Sequence, residues 1–526
     1  MSIVSFYFLF FALIISVLFF VAPKKWQWIV LLCGNIFFYA YAGVKYLVVV
    51  FFMTLVSFIT ALRLEEAAGI GAKVLPSLDN EAKNEVKKHI ISIKQYICAV
   101  SIIFVAGIWV VLKYGNFFIK NINALISRFS EGIQISKVPW ALPLGISFYT
   151  FHIIGYVVDV YRGKYHAERN FARYFTFITF FPHVIQGPFS RFDLLGKSIF
   201  EEHAFSYDRL CEGCARILWG FFKKLVIADR LGVAVNSIFI NYSDYSGVHI
   251  IFGMFAYCIE LYADFSGYMD IVCGLSHIWG ISLSENFRRP YFAKSIDEFW
   301  RRWHITLGAW FKDYVFYPVS MGKIGQKLGK KARNKWGARM GKLVPGYFAL
   351  IFVWTATGLW HGANWTYLIW GYLNLFVIMS TMQLSDFYDK IKKAFHIKSD
   401  SMLWNSVCII RTFILVCFFR FFSIQSSLKT ALATLKHTFS NLRPGDITSL
   451  QDMFVGMLPK DIYSVIVGTI ILFIVDAFSE AGKWKEIKDR CPAMVRNIIY
   501  ALLVMVIIIF SGESSDLTGG FMYANF

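Results

Sequence analysis

The chain has 526 residues, 57% of them hydrophobic and 18% aromatic, with a mean hydropathy of +0.53. Soluble globular chains carry about 45–50% apolar residues, so an ordinary soluble domain is excluded. The net charge of +19 would point to nucleic acid in a soluble protein. In a membrane protein the same excess of Lys and Arg gathers in cytoplasmic loops, and no nucleic-acid partner is expected.

The apolar residues fall in runs near the roughly 20 residues that a helix needs to cross a bilayer. In chain order the clear runs are Ile3–Ala22, Tyr46–Leu62, Tyr96–Leu112, Ile250–Phe265, Trp365–Leu384, Asn405–Phe422, Tyr463–Ala477 and Ile498–Phe510. Weaker runs are Trp26–Tyr41, Leu142–Val160, Tyr174–Phe189, Ile217–Ala228 and Val344–Trp360. Together they predict an all-α polytopic membrane protein of about 11 to 13 transmembrane helices, with interfacial or re-entrant helices between them. A closed β-barrel is the other spanning solution, and these uninterrupted runs argue against it.

No charge precedes Lys24 and Lys25, and Arg63–Lys94 holds six basic residues. Basic residues stay inside, so the N-terminus is predicted to face outward. Past Arg191 the charge pattern no longer fixes the orientation. The first run has no basic leader and no small-residue cleavage site before Pro23, so it reads as a retained helix.

Polar stretches cover Arg63–Lys94, Ala167–Arg173, Ser284–Lys342, Asp386–Ser401, Lys436–Lys460 and Glu480–Arg496. With no internal repeat and no long linker, residues 1–526 read as one membrane domain. It has front helices over 1–283, a motif-rich centre over 284–384 and C-terminal helices with an aromatic tail over 385–526. Gly322–Lys342 carries eight Lys or Arg and no acid, and is predicted to be a cytoplasmic loop. It could dock an anionic donor or acidic lipid heads; a topology anchor is the simpler reading.

Two histidines stand out, because polar groups within a membrane are expensive and imidazole moves protons near neutral pH. The first lies in Ile296–Tyr317, where Phe299, Trp303, Leu307, Trp310 and Tyr314 recur at helical spacing and form an apolar stripe. Its many charges could not span lipid, so this predicted helix belongs at the interface or re-enters. His304 falls on the border of its two faces, near Trp300 and Phe311. Taken alone it is equally well read as a solvated interfacial histidine. His361 interrupts the apolar stretch Val344–Leu384 within Thr357-Gly-Leu-Trp-His-Gly-Ala-Asn-Trp365. Its flanking glycines would let a helix break there, and a structural histidine at a helix junction is the simpler reading of the residues alone.

Asp264 and Asp270, six apart, sit on nearly opposite sides of a helix and are no acid–base pair. A buried network with Arg or Trp nitrogens suits them better. Cys211 and Cys214 have a CxxC spacing without a second pair or histidines. They read as two small buried residues, and no metal site is expected.

The block Ser284-Glu-Asn-Phe-Arg-Arg-Pro-Tyr-Phe-Ala-Lys-Ser-Ile-Asp-Glu-Phe-Trp-Arg-Arg-Trp-His304 resembles the most distinctive block of bacterial membrane-bound O-acyltransferases, and Gly358-Leu-Trp-His-Gly-Ala-Asn-Trp365 is similar to their second signature. Pro143-Leu-Gly-Ile-Ser-Phe148, Gln186-Gly-Pro188 and Asp264-Phe-Ser-Gly-Tyr-Met-Asp270 are supporting matches. The resemblance is strongest to the branch that O-acetylates polysaccharides of the alginate type; the teichoic-acid D-alanyl branch shares both blocks.

The resemblance implies a tunnel between a cytoplasmic thioester donor and an extracellular acceptor. The donor is acetyl-CoA, or alternatively an acyl-carrier-protein thioester, with no resident cofactor. His361 would be the general base, His304 would line the donor entrance, orienting the thioester or assisting as acid, and the membrane would be a bacterial inner or cytoplasmic one. Asn286, Arg288, Trp300, Trp303, Trp360 and Asn364 are the candidate substrate-binding residues. The implied partners are membrane lipid, a periplasmic or extracellular partner acetyltransferase and the polysaccharide acceptor. D-Alanyl transfer, peptidoglycan O-acetylation and, outside the enzymes, transport are the competing readings; transporters often carry repeated halves, and none is visible here. The segment Ser511–Phe526 ends in clustered aromatics, either an interfacial anchor or a tail whose Tyr523 carries the acyl group transiently.

Overall fold

The computed structural model describes residues 2–129, 133–138 and 142–514. Among them there are helices and no β-strand, apart from one isolated bridge. Among the described residues seven helices are long and apolar enough to cross a membrane, or eight if a pair bent by 62° counts as one span. The chain is therefore an all-α, multi-pass membrane protein. It divides into two compact units, Met1–Cys214 with Val272–Ser284, and Ala215–Ile271 with Glu285–Phe526.

In the first unit α1 (Phe6–Val21), α2 (Gln27–Ala42), α3 (Val44–Val74) and α4 (Asn80–Ile126) follow in short succession. The polar stretch over 63–94 is not a loop. It is the end of α3 and the start of α4, whose first turn is capped by Asp79 accepting from the Ala82 amide at 2.9 Å. Helix α5 covers Ile146–Tyr161, and α1 and α5 have 16 residues each, which falls short of a full span.

The predicted run 174–189 is broken into α6 (Phe171–Thr179) and α7 (Phe181–Val184). Pro182 has no amide to give the carbonyl four residues back, and the chain leaves the helix at Phe180 (φ −53°, ψ 105°) before restarting with the proline in the first turn of α7, where it is tolerated. Asn35 takes up the groups this frees, donating to the Thr176 carbonyl at 3.2 Å and accepting from the Phe181 amide at 3.0 Å. After the short α8 (Lys197–Phe200) comes α9 (Tyr207–Phe221), on which Cys211 and Cys214 are exposed, not buried. Gly213 between them turns inward: a Cβ there would sit 2.4 Å from the Ile278 side chain and 2.7 Å from the Gly274 carbonyl. The two thiols are therefore left on the outer face.

The second unit contains a π-helical turn (Phe222–Ala228), α10 (Asp229–Ile240), and α11 (Gly247–Ile278) through Ile271. It continues through α12 (Ile296–Arg302), α13 (Ile305–Phe311), α14 (Tyr317–Ser320), α15 (Lys323–His361) and α16 (Trp365–Gln383). Then follow α17 (Ser385–Ala394), α18 (Met402–Ile424), α19 (Leu428–Ser440), α20 (Leu450–Met453), α21 (Pro459–Glu480), α22 (Trp484–Arg490) and α23 (Ala493–Ser514). The basic segment 322–342 is helical as well. Its long straight side chains favour helix, and only Gly337, at φ 86°, interrupts it.

Asp264 lies in a buried network and Asp270 in a partly buried one, though their partners are mainly lysines. Lys224 Nζ is 2.7 Å from both Asp264 and Asp229, and Lys223 Nζ is 2.5 Å from Asp270, which Arg216 also reaches at 2.9 Å.

Candidate active site

The expected continuous helix over 296–317 does not form. Ser295 caps α12, accepting from the Glu298 amide at 3.1 Å, and the helix stops at Arg302. There the backbone pairs instead with residues 286–288. The Arg288 amide donates to the Arg302 carbonyl at 2.9 Å and the Ile305 amide to the Asn286 carbonyl at 3.0 Å. Between these bonds His304 adopts a left-handed conformation with φ 48°. That region is uncommon for a residue with a Cβ, histidine being among those enriched there, and such strain concentrates at functional sites. The π-helical turn Lys312–Phe316 follows α13.

The His304 side chain is 2% exposed, which excludes the solvated reading. Its ring meets Phe265 edge to face at 4.8 Å between centroids, and Trp360 at 5.7 Å. Its Nδ1 is 3.4 Å from Asn286 Oδ1. Burial, and after it the field of Arg420, hold its pKa down, to about 3, so the ring is neutral at ordinary pH.

The buried Asn286 also accepts from the Thr306 amide and hydroxyl, at 3.0 and 2.7 Å, and so fixes the turn that carries His304. Arg288 presents an exposed side chain. The neighbouring charges are paired: Arg302 with Glu298 at 2.6 Å and Glu480 at 2.9 Å, and Arg289 with Glu480 at 2.8 Å.

A cavity of about 570 Å³ opens at His304, lined among others by Asp297, Trp300, Arg301, Lys312 and Thr357. It combines an apolar wall with a few polar groups, the usual make-up of a small-molecule site. Its two cations are Arg301, which is paired with Asp297 of the same lining, and Lys312.

His361 is the last residue of α15, and Gly362 ends the helix in extended backbone. Its side chain is 3% exposed. Its ring meets Trp370 edge to face at 4.9 Å and Trp360 at 5.0 Å, and stacks on Tyr367 at 6.2 Å. The motif glycine Gly358 permits this packing: a Cβ there would lie 2.8 Å from the Tyr367 carbonyl. Close small-residue contact of this kind lets helices approach within a membrane. Asn364 caps α16, accepting from the Thr366 amide at 3.2 Å and donating to the Ser426 carbonyl at 2.8 Å.

Trp360 thus touches both histidines. Trp300, which lines the cavity, meets Trp370 at 5.5 Å and donates to Asn374 Oδ1 at 2.9 Å. Trp303 is buried against Phe299 and Phe287. Two histidines from separate motifs therefore share one buried aromatic cluster, next to a cavity of substrate size. Arg420, Trp370 and Thr306 are site residues outside the quoted motifs, and Phe265 lies within the Asp264–Asp270 match without being singled out there. Arg420 had a readable signal, since it is one of two guanidinium groups, with Arg411, inside the run Asn405–Phe422. Tyr523 lies outside the described residues.

Residues 166–333 match the model of the MBOAT, membrane-bound O-acyltransferase family. The chain is 40% identical to the probable alginate O-acetylase of Azotobacter vinelandii over 261 residues, 49% of this chain and 48% of the relative. It is 27% identical to the peptidoglycan O-acetyltransferase of Helicobacter pylori over 433 residues, 77% of this chain and 72% of the relative. It is 32% identical to the teichoic acid D-alanyltransferase of Bacillus subtilis over 284 residues, 52% of this chain and 67% of the relative. The matched segment spans about half the length of the alginate O-acetylase relative.

Proposed function

We infer the reaction from one premise: the chain belongs to the membrane-bound O-acyltransferase family. We propose that it transfers an acyl group, foremost acetyl, from a thioester donor at the cytoplasmic face to hydroxyls of an extracellular polysaccharide. The observation that carries this reading is the pair of buried histidines in one aromatic cluster beside the His304 cavity. The alginate-type relatives at about 40% identity favour acetyl over D-alanyl.

In this mechanism the acceptor hydroxyl oxygen adds to the thioester carbonyl carbon while His361 takes its proton. The carbon–sulfur bond then breaks, and the departing thiolate recovers that proton from the imidazolium. General-base assistance of this kind contributes about 10²–10⁴-fold. His304, neutral and held by the Asn286 clamp, orients the donor, Trp300 walls it, and Trp303 backs the turn from within the core. Trp360 and Asn364 hold the His361 end. Arg288 and the basic arm of α15 draw the anionic donor from the cytoplasm.

The acetyl group then reaches the polymer directly, through a partner acetyltransferase, or by way of Tyr523. In the Tyr523 route the phenol displaces the thiol, and the aryl ester in turn acylates the acceptor. Tyr523→Phe tests that route, since it keeps an anchoring ring and abolishes an oxygen relay.

The overall reading is tested by supplying labelled acetyl-CoA, and separately a D-alanyl carrier-protein thioester, to vesicles containing the protein. Protein-dependent release of free CoA with label passing to polysaccharide is expected. Use of the carrier thioester alone would move the assignment to D-alanyl transfer, and consumption of neither would contradict it.

A further inference from the structure

Arg420 lies on the spanning helix α18 and is 4% exposed. Among the described residues it makes no ion pair, and its Nη2 reaches no hydrogen-bond acceptor. The guanidinium lies over three indoles instead, 4.9 Å from the ring of Trp370, 5.0 Å from Trp303 and 5.7 Å from Trp300. Indole faces suit a guanidinium. They do not supply the anion that a buried charge normally requires, and its absence is costly.

The three tryptophans are those of the histidine cluster. Trp303 precedes His304 in the chain, Trp370 packs edge to face on His361, and Trp300 lines the cavity at His304. Other buried cations in this unit are answered by carboxylates, as Lys223 and Lys224 are. Arg420 is held beside the chemistry with no carboxylate of its own.

We propose that Arg420 is the fixed positive charge of the acyl-transfer site and stabilises the anion that forms on the thioester carbonyl oxygen. The inference rests on the acyl-transfer reading above. When the acceptor oxygen bonds to the carbonyl carbon, the π pair moves to the carbonyl oxygen and His361 takes the proton. When the carbon–sulfur bond breaks, the oxygen returns its pair and the thiolate leaves with the proton. Between these events the negative oxygen sits in a low-dielectric surround, where a pre-positioned cation acts strongly. Arg420 is a positioning residue: it acts by its field and through the tryptophans it aligns.

A purely structural arginine makes the opposite forecast. For an arginine that only fills space, an apolar side chain of similar length removes the desolvation cost of a charge without an ion partner, so Arg420→Met would keep both fold and rate. The test measures kcat and KM for thioester consumption by full-length wild type, Arg420→Met, Arg420→Gln and Arg420→Lys, with thermal unfolding as the check on folding. The Met and Gln variants should lose at least about tenfold in kcat, with KM for the donor within about twofold. The Lys variant should recover to within about threefold of wild type, because it keeps charge without the flat stacking surface.

A folded Met or Gln variant at the wild-type kcat, or a Lys variant as slow as Met, overturns the proposal. Should neither neutral variant fold, the Lys variant decides, and a tenfold loss there counts against it. Wild-type protein that consumes no thioester overturns the acyl-transfer reading and this proposal together. An active wild type with an equally active Met variant overturns only this one.

Discussion

The side-chain oxygen of Asn286 accepts two hydrogen bonds from Thr306, one from its amide at 3.0 Å and one from its hydroxyl at 2.7 Å. Both residues are buried, and the two bonds close the turn on which His304 sits. Asn286→Ala leaves a buried amide and hydroxyl without their acceptor, which costs about 1–3 kcal/mol. It should lower the unfolding temperature and reduce kcat for donor turnover with little change in KM. A rise in KM alone would show that Asn286 contacts the donor instead.

The close approach at Gly358 makes a second expectation. Gly358→Ala forces a Cβ to within 2.8 Å of the Tyr367 carbonyl and should destabilise by about 1–3 kcal/mol. Gly346→Ala, on the same helix, meets nothing nearer than Phe316 at 3.9 Å and should leave stability unchanged or slightly raised. Thermal unfolding of the pair in one detergent compares them. Equal effects at the two sites would contradict the packing assigned to the His361 motif.

Protonation of His304 is opposed in the fold, where its pKa is down at about 3, whereas an unfolded histidine titrates near 6.5. The unfolded chain therefore binds the extra proton between these values, and stability falls as pH drops through that window. Wild type should lose thermal stability more steeply than His304→Gln between about pH 6.5 and 4. Parallel curves would contradict the burial assigned to the ring.

Asp270 answers two cations, Lys223 at 2.5 Å and Arg216 at 2.9 Å. Asp270→Asn leaves Lys223 buried and uncompensated, a loss of about 3–5 kcal/mol. Glu285, also paired with Arg216 but more than half exposed, should tolerate Glu285→Gln with little change, as exposed ion pairs contribute little. Denaturation of the two variants side by side checks the ranking.

The class of the fold was legible because an apolar run of bilayer length, repeated along a chain, suits membrane-spanning helices and little else. The two histidines were legible because both stand in distinctive blocks. Their surroundings were not. The stripe from Phe299 to Tyr314 has the spacing of one helix, yet the chain breaks at His304. Its backbone partners there are Asn286 and Arg288, and a periodicity within 296–317 cannot register a pairing with another segment. The basic stretch 322–342 reads as a loop by its charge, while its side chains are good helix formers and only Gly337 turns it. Cys211 and Cys214 read as buried by residue type; Gly213, small enough to face Ile278, turned them outward. Arg420 could have been marked as a charge within an apolar run, but its three tryptophans come from two other segments.

The most direct measurement compares label transfer from acetyl-CoA to polysaccharide by wild type and His361→Gln, in vesicles holding equal amounts of folded protein. Glutamine keeps a hydrogen-bonding side chain and cannot take the hydroxyl proton. Transfer should fall by at least about 10²-fold, with donor binding retained. Transfer by folded His361→Gln at a rate close to wild type would contradict the general-base role of His361.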